Sequence, residues 1–323
     1  MALVQVVAID GEPPILNYLD KSSFKVLHNI GFNNTSYPLL AVIRCTYNYK
    51  YDREDVTQYF RKSKLNPNGF KKVKAFNFYT KNKIPILNKI TELELSSYIN
   101  PIIYNSFYQR GTISNIINYL DKIPNNLIIK DALGATQSNI CFVNKEVFID
   151  TLHLLEMYIS DYNAPDDIFD FLQPIWKNDF KRFMFGSTMY VEEDLTDRIV
   201  SEYRILYGYH GDIMVCERKG YGRQDGEKSA THIVNINTFE EFFSHIHYNN
   251  TKHIKKFLKN IKDFIEWMDA PIISIDILVL NNNQFIIIES SNEFAFKNFD
   301  PVYSKEFINK AYISYCKHYG LIK

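Results

Sequence analysis

Asp276 and Glu289 stand in two apolar runs, SIDILVL and QFIIIES, separated by the three asparagines 281–283. Two such runs on either side of so short a turn predict an antiparallel hairpin, with both acids a few residues inside it and close enough to meet on one face. Two carboxylates so placed repel, and raise each other's pKa, unless a cation lies between them. An all-oxygen pair suits magnesium, which takes one or two carboxylates and fills its other positions with phosphates and water. Asn292, just beyond Glu289, offers a further neutral oxygen. Lys130 ends a third apolar run, LIIK, and Arg204, Arg218 and Lys219 lie in EYRILYGYHGDIMVCERK. Singly, each has a structural explanation. A lysine ending a buried strand commonly snorkels at its edge, strand acids commonly pair with lysines, and an arginine between apolar neighbours commonly closes an ion pair. Their order along the chain and their placement on hairpins favour a shared site.

The elements that must position them follow from the pattern. VQVVAI and PLLAVIRCTYNY read as strands, KYDREDVTQYFRKSK as a polar helix closed by the turn NPNG, and TISNIINYLDKI as a helix. LIIK and ICFV read as strands separated by the loop DALGATQSN, NKEVFIDTLHLLEMYI and DDIFDFLQPIW as helices, and MYVEED as a strand entering an acidic corner. EYRILYGYHGDIMVCERK alternates about a Gly208–Gly211 turn, a second hairpin. TFEEFFSHIH, TKHIKKFLKNIKDFIEWM and YSKEFINKAYISYCKHYG have helical spacing.

Composition narrows the class. The 323 residues are 46% hydrophobic and 15% aromatic, too apolar for a disordered chain and long enough for two or three packed units. Lys and Arg (37) balance Asp and Glu (37), which argues against a general affinity for nucleic acid or an acidic membrane surface. No stretch nears the ~20 apolar residues of a membrane span. The start, MALVQVVAIDGEPP, lacks the marks of a signal peptide, and the four cysteines lie far apart with no CxxC, so reduced thiols and a cytoplasmic location are expected. On this reading the sequons at Asn33, Asn34 and Asn249 carry no sugar.

Four of these segments together resemble the ATP-grasp superfamily over roughly residues 120–300. LIIKDALGATQSNICFV is similar to the strand–loop–strand that sets a lysine against nucleotide phosphates, MYVEEDL to the strand whose acid holds the ribose, EYRILYGYHGDIMVCERK to the hairpin facing the phosphates, and SIDILVLNNNQFIIIESSN to the Asp…Glu-x-Asn metal hairpin. Ribosomal-protein glutamate ligases, the two-lysine phage and bacterial clade, and cell-division-cycle assembly factors for an initiation factor are the nearest types, and Lys130-Asp131 suits the latter two. The resemblance implies an α+β fold with an N-terminal α/β unit over 1–115, a central ATP-grasp subdomain over 116–195 and a C-terminal one over 196–323. It implies ATP and magnesium as cofactors. Lys130 and the loop 134–139, with Gly134, Thr136 and Ser138, would lie on phosphates, either Glu192 or Glu193 on ribose, and Arg204, Arg218 and Lys219 on the transferring phosphoryl group. Asp276, Glu289 and Asn292 would hold the metal. The implied reaction joins a carboxylate to an amine, on a small molecule, peptide or protein, through an acyl phosphate, releasing ADP and phosphate. A nucleotide-binding assembly factor and a small-molecule kinase are the alternatives.

Two departures stand out. The metal motif's asparagine usually lies two residues after the glutamate, where this chain has Ser291, so either the strand bulges or Asn292 is not a ligand. The loop 132–139 is also poor in glycine. Elsewhere, His245, His247 and His253 are spaced for solvated positions rather than for zinc. GYGRQDG at 220–226 lacks a P-loop's ending and reads as a mobile substrate-facing loop or a plain turn.

Overall fold

The computed structural model describes residues 4–9, 14–27, 37–43, 72–77, 83–100, 102–104, 126–131, 140–160, 189–219, 230–292 and 301–323, with single positions between 117 and 123. The expected helices over 50–64 and 166–176, and the loops at 132–139 and 220–229, lie outside the described residues, as does most of the one over 112–123, of which Ile117, Asn118 and Leu120 are helical.

Three sheets follow one another. β1 (Val4–Ile9), β2 (Phe24–Leu27), β3 (Leu39–Ile43) and β4 (Val73–Asn77) form a parallel sheet of order β2-β1-β3-β4. β3, between β1 and β4, is a continuous apolar run, as a strand buried on both faces requires, whereas the edge strands β2 and β4 each carry a lysine. β5 (Ile102–Tyr104), β6 (Leu127–Asp131), β7 (Ile140–Val143) and β8 (Met189–Glu193) form an antiparallel sheet of order β5-β8-β6-β7. β9 (Ile199–Gly208), β10 (Ile213–Lys219), β11 (Ala230–Val234), β12 (Ile272–Leu280) and β13 (Phe285–Ser291) form the third, of order β11-β10-β9-β12-β13. Both expected hairpins are present. Gly211, with φ +100, closes the first, a backbone angle that favours glycine.

The third sheet carries the main core on one face. Ile273, Ile275, Ile277 and Val279 of β12 join Tyr203, Ile205 and Tyr207 of β9 and Phe285 and Ile287 of β13 there. Three helices contribute: α1 (Lys83–Glu92), α3 (Phe239–His245) and α4 (Thr251–Met268); α2 (Lys145–Ser160) lies between β7 and β8 in the chain. α4 buries Phe257, Ile261, Phe264, Ile265 and Met268, a helical stripe, each worth about 1.5–3 kcal/mol on removal from water. Asn250 caps its start, and Asp269 ends it at φ 52, where a short polar side chain is tolerated. On the opposite sheet face, Leu206, Met214, Cys216 and Ile272 pack with the N-terminal sheet and the last helix, α5 (Pro301–His318).

The expected boundary at 115/116 does not follow the sheets. β5 pairs with β8 inside the central sheet, and α1 sits in the core of the third. A three-residue strand and a helix with Pro85 in its first turn carry too little periodicity to be assigned from sequence. β2, β4 and β11 are likewise additions to the sequence reading. Cys216 and Cys316 are buried free thiols, and none of the described helices is long and apolar enough to cross a membrane.

One polar strut ties the N-terminal sheet to the rest. Asp269 accepts from Lys74 of β4, with a closest approach of 2.8 Å, from the Tyr315 hydroxyl at 3.0 Å and from the Tyr319 hydroxyl at 2.8 Å. The Lys74 ammonium sits 3.8 Å from the Tyr319 ring centre. Burial opposes the Asp269 charge, but Lys74 and the two hydroxyls outweigh it and hold the carboxyl below its ordinary value of 3.8. Such a group stabilises the fold above its unfolded pKa, and the contribution is lost as pH falls through the folded value. Asp269→Asn is therefore expected to cost about 1–3 kcal/mol at pH 7, with the gap from the parent narrowing toward pH 3. Urea unfolding at both pH values measures this, and an equal gap at both would remove the charge from the account.

Candidate active site

The cleft between the central and third sheets gathers four cations and four carboxylates. On the third sheet, antiparallel register sets Glu289, Asp276, Arg204 and Cys216 in one row across β13, β12, β9 and β10. Residues directly opposite share a face, so the two acids lie side by side, as the spacing predicts. They are not left to repel. Asp276 is gripped at both oxygens by Arg204, Nε to Oδ1 at 2.7 Å and Nη2 to Oδ2 at 2.6 Å, a bidentate fork that suits guanidinium and carboxylate. In the next row, Arg218 donates to Glu202 at 2.6 Å and reaches Asp276 Oδ2 at 3.4 Å. Glu289 is met from outside its sheet by Lys83 of α1, at 3.5 Å.

On the central sheet, Ile128 lies opposite both Phe142 and Glu192, with Lys130 two residues along. Lys130 contacts the buried Glu192 directly. Burial, reinforced by the charge of Lys83, pushes the Lys130 ammonium down to about 8, against the pull of Glu289 and Asp194. Lys130 thus senses the charges of Lys83 and Glu289, although 159 positions separate it from Glu289 in sequence (289 minus 130). Burial also raises Glu202, and Asp276 adds to this while Arg218 works against it. For Arg204 burial is again unfavourable, but its bonds to Asp276 prevail and raise the guanidinium above its ordinary value.

Glu193 takes the opposite face of β8. It accepts from the Tyr98 hydroxyl at 2.6 Å, with Arg198 3.9 Å away and stacked 4.6 Å from the Tyr98 ring centre. Asn100 holds its main chain at both N–H and carbonyl. Beyond it, Leu195, Leu278, Leu280 and Ile286 form a small apolar cluster beside Tyr98 and Ile288.

No protein-family model matches the chain, and no curated protein matches it in sequence. Solved structures do. The macrocyclase MdnC of Microcystis aeruginosa MRC, bound to its precursor peptide MdnA, is 12% identical and covers 96% of this chain and 98% of its own, with a TM-score of 0.51. The ATP-grasp ligase PsnB, complexed with a minimal precursor, Mg and ADP, is 9% identical over 95% and 97%, with a TM-score of 0.52. D-alanyl-alanine synthetase A of Vibrio cholerae O1 biovar eltor str. N16961 is 11% identical over 98% and 99%, with a TM-score of 0.51.

This chain has the ATP-grasp fold. Identity this low carries the architecture alone, and the chemistry has to be argued from the residues.

The structure brings Arg204, Arg218, Asp276 and Glu289 together on the third sheet and Lys130 with Glu192 on the central one. Gly134, Thr136 and Ser138 lie outside the described residues, as does the side chain of Lys219, whose backbone ends β10. A bulge is present in β13, but at Ile288, before Glu289 rather than after it. Strand alternation therefore gives the position two beyond Glu289, on the Asp276 face, to Ser291 opposite Ser274, while Asn292 is buried just past the strand end. The histidine trio makes no metal cluster: His245 meets the Tyr203 hydroxyl, and His253 bridges the Tyr248 hydroxyl and the Glu94 carbonyl, so these two are partnered rather than simply solvated. Sequence reasoning missed Lys83, Glu202, Tyr98, Asn100 and Arg198. Only Glu202 left a signal, lying two residues before Arg204 on the same strand face.

The donor set fits a hard divalent cation. Two carboxylates stand side by side, and Oδ1 of Asp276 keeps a lone pair beyond its bond to Arg204, while Oδ2 also accepts from Arg218. No third Asp, Glu, His or Cys joins them among the described residues, so phosphate and water would complete the shell. The ion pairs also correct one expectation. Two facing carboxylates without a metal predict that losing one is neutral or stabilising, but Arg204 supplies the missing cation. Asp276→Asn in nucleotide-free protein is thus expected to destabilise by about 2 kcal/mol, below the ~3–5 kcal/mol of a fully buried broken pair because Arg204 is partly exposed. Adding Arg204→Met should recover most of the loss, and thermal unfolding of the double-mutant cycle measures it.

Proposed function

We propose that the cleft binds magnesium-ATP and activates a carboxylate as an acyl phosphate for capture by an amine. What supports the reading is the convergence of Lys83 and Lys130 with Asp276, Glu289, Arg204 and Arg218 from two sheets and helix α1. In nucleotide-free protein each cation has a carboxylate partner, so an entering polyphosphate meets cations already fixed in place, which is the condition for electrostatic stabilisation with little reorganisation. Lys130 and Lys83 hold the phosphate chain. Asp276 and Glu289 hold the metal, whose contribution is to neutralise phosphate charge, and Asn292 is a secondary candidate beside them. Arg204 and Arg218 face the phosphoryl group in transfer. Glu192, beside Lys130, is the candidate for the ribose hydroxyls. Ile128, the half-exposed Phe142 and the Leu278 cluster offer apolar surface for the base.

A carboxylate oxygen of the substrate attacks the γ-phosphorus, and the bond to the bridging oxygen breaks to release ADP. The amine nitrogen then attacks the acyl carbon, and phosphate leaves with the oxygen the carboxylate supplied. The amine's proton passes to solvent. The structures of MdnC and PsnB hold precursor peptides, which makes a peptide carboxylate the first substrate class to try.

Two measurements test this reading. Oxygen-18 placed in the substrate carboxylate should appear in released phosphate, with ADP formed only when an amine is present; label retained in a phosphorylated product would mean a kinase. Phosphate binding should also raise the Lys130 pKa, so near pH 8.5 ATP binding is expected to take up protons. Titration calorimetry in buffers of different ionisation enthalpy detects the uptake, and Lys130→Met should abolish it while weakening ATP about tenfold or more. Equal heats in all buffers for the parent would exclude Lys130 from the phosphates.

A further inference from the structure

We propose that the segment Ser96–Asn100 is a strap that sets the spacing between the two halves of the site, and that Glu193 is the residue it grips: a positioning residue, not a ribose ligand. The proposal deepens the nucleotide reading above and rests on it. The two halves lie on different sheets, with Lys130 and Glu192 on the central one and Asp276 and Glu289 on the third. Their relative position must be fixed by something that touches both.

The strap does so with hydrogen bonds at each end. Toward the metal strand, the Ser97 and Tyr98 N–H groups donate to the Phe285 carbonyl at 3.0 and 3.1 Å. In return the Phe285 N–H donates to Ser97 Oγ at 2.7 Å, and the Ile287 N–H to Ser96 Oγ at 3.0 Å. The strap thus covers the outer edge of β13 two residues before Glu289. Toward the nucleotide strand, the Tyr98 hydroxyl donates to Glu193 at 2.6 Å, and the Asn100 side chain receives the Glu193 N–H at 3.1 Å and donates to its carbonyl at 3.4 Å.

Packing alone does not hold this segment. Ile99 is 72% exposed, and a cavity of about 260 Å³ lies beside the strap, lined in part by Ser96, Ser97, Tyr98 and Asn100. Glu193 itself is buried at 1% exposure on the face of β8 opposite Glu192, with its carboxylate committed to Tyr98 beside Arg198. Its neighbour Glu192, one residue back, is the one that meets Lys130. Glu193 therefore fixes where β8 presents Glu192, relative to the strand that presents Glu289.

The test is calorimetric titration of ATP with and without magnesium on the parent, Tyr98→Phe and Glu193→Gln, with circular dichroism confirming the fold. Tyr98→Phe removes one hydroxyl and carries the test should Glu193→Gln not fold. A residue that aligns the halves governs how much magnesium tightens ATP. Both variants should lose about fivefold of that enhancement, the worth of one hydrogen bond, and bind metal-free ATP as the parent does. Parent and Glu193→Gln should discriminate equally between ATP and 2′,3′-dideoxy-ATP. Loss of that discrimination in Glu193→Gln would make Glu193 the ribose ligand and overturn the proposal, and so would an unchanged magnesium enhancement in Tyr98→Phe. A parent that binds no ATP would instead sink the nucleotide reading itself.

Discussion

The ion pair between Asp276 and Arg204 is the constraint around which the third sheet is arranged. β12 is buried along its whole length and Asp276 is its sole charge, a position that would be prohibitive without a partner fixed at the same depth. The partner comes from β9 and only in one register, because a slip of a single residue would turn Arg204 to the opposite face. The β9–β10 hairpin in turn sets Glu202 against Arg218, and the β12–β13 hairpin sets Glu289 beside Asp276. The buried pair thereby specifies the alignment of β9 with β12, the two strands on which both hairpins are built.

Compensation extends across the cleft. Lys130 with Glu192 and Lys83 with Glu289 complete a set in which every described cation of the site has an acidic partner. Such a set is stable while the cleft is empty of substrate. It is also suited to a polyanion that arrives with metal ions, since lysines and arginines can exchange carboxylate for phosphate without leaving their places. The depressed Lys130 pKa belongs to the same picture: a buried ammonium beside another lysine releases its proton more readily until a further negative charge arrives.

The halves of this set are borne by separate sheets, and polar contacts join the parts. The Ser96–Asn100 strap spans the edge of β13 and the back of β8. The Lys74–Asp269–tyrosine strut ties the N-terminal sheet to the end of α4 and to α5. Both are hydrogen-bonded and charged rather than merely apolar, so each fixes a direction as well as a distance, which nonspecific burial does not do.

Sequence alone determined the local facts. Apolar strand runs with glycine or asparagine turns specified both hairpins, and the types Asp, Glu, Lys and Arg at their inner positions marked the chemistry, because strand propensity and hydrogen-bonding capacity are properties of adjacent residues. It also placed Asp276 beside Glu289. Tertiary structure decided which partner neutralises which charge. Lys83 lies in a helix with no chemical signature, and nothing nearby in sequence announces that it meets Glu289. Glu193 is indistinguishable from Glu192 in a run of two glutamates, and only β5 and the strap, brought from residues 96–104, separate a buried tether from a cleft carboxylate. The bulge at Ile288 shows the same limit: a one-residue irregularity leaves the apolar pattern intact, yet it sets which of Ser291 and Asn292 follows Glu289 on its face. Electrostatic partnership acts through space at a few ångströms, and the order of residues along the chain does not encode which distant segment will come that close.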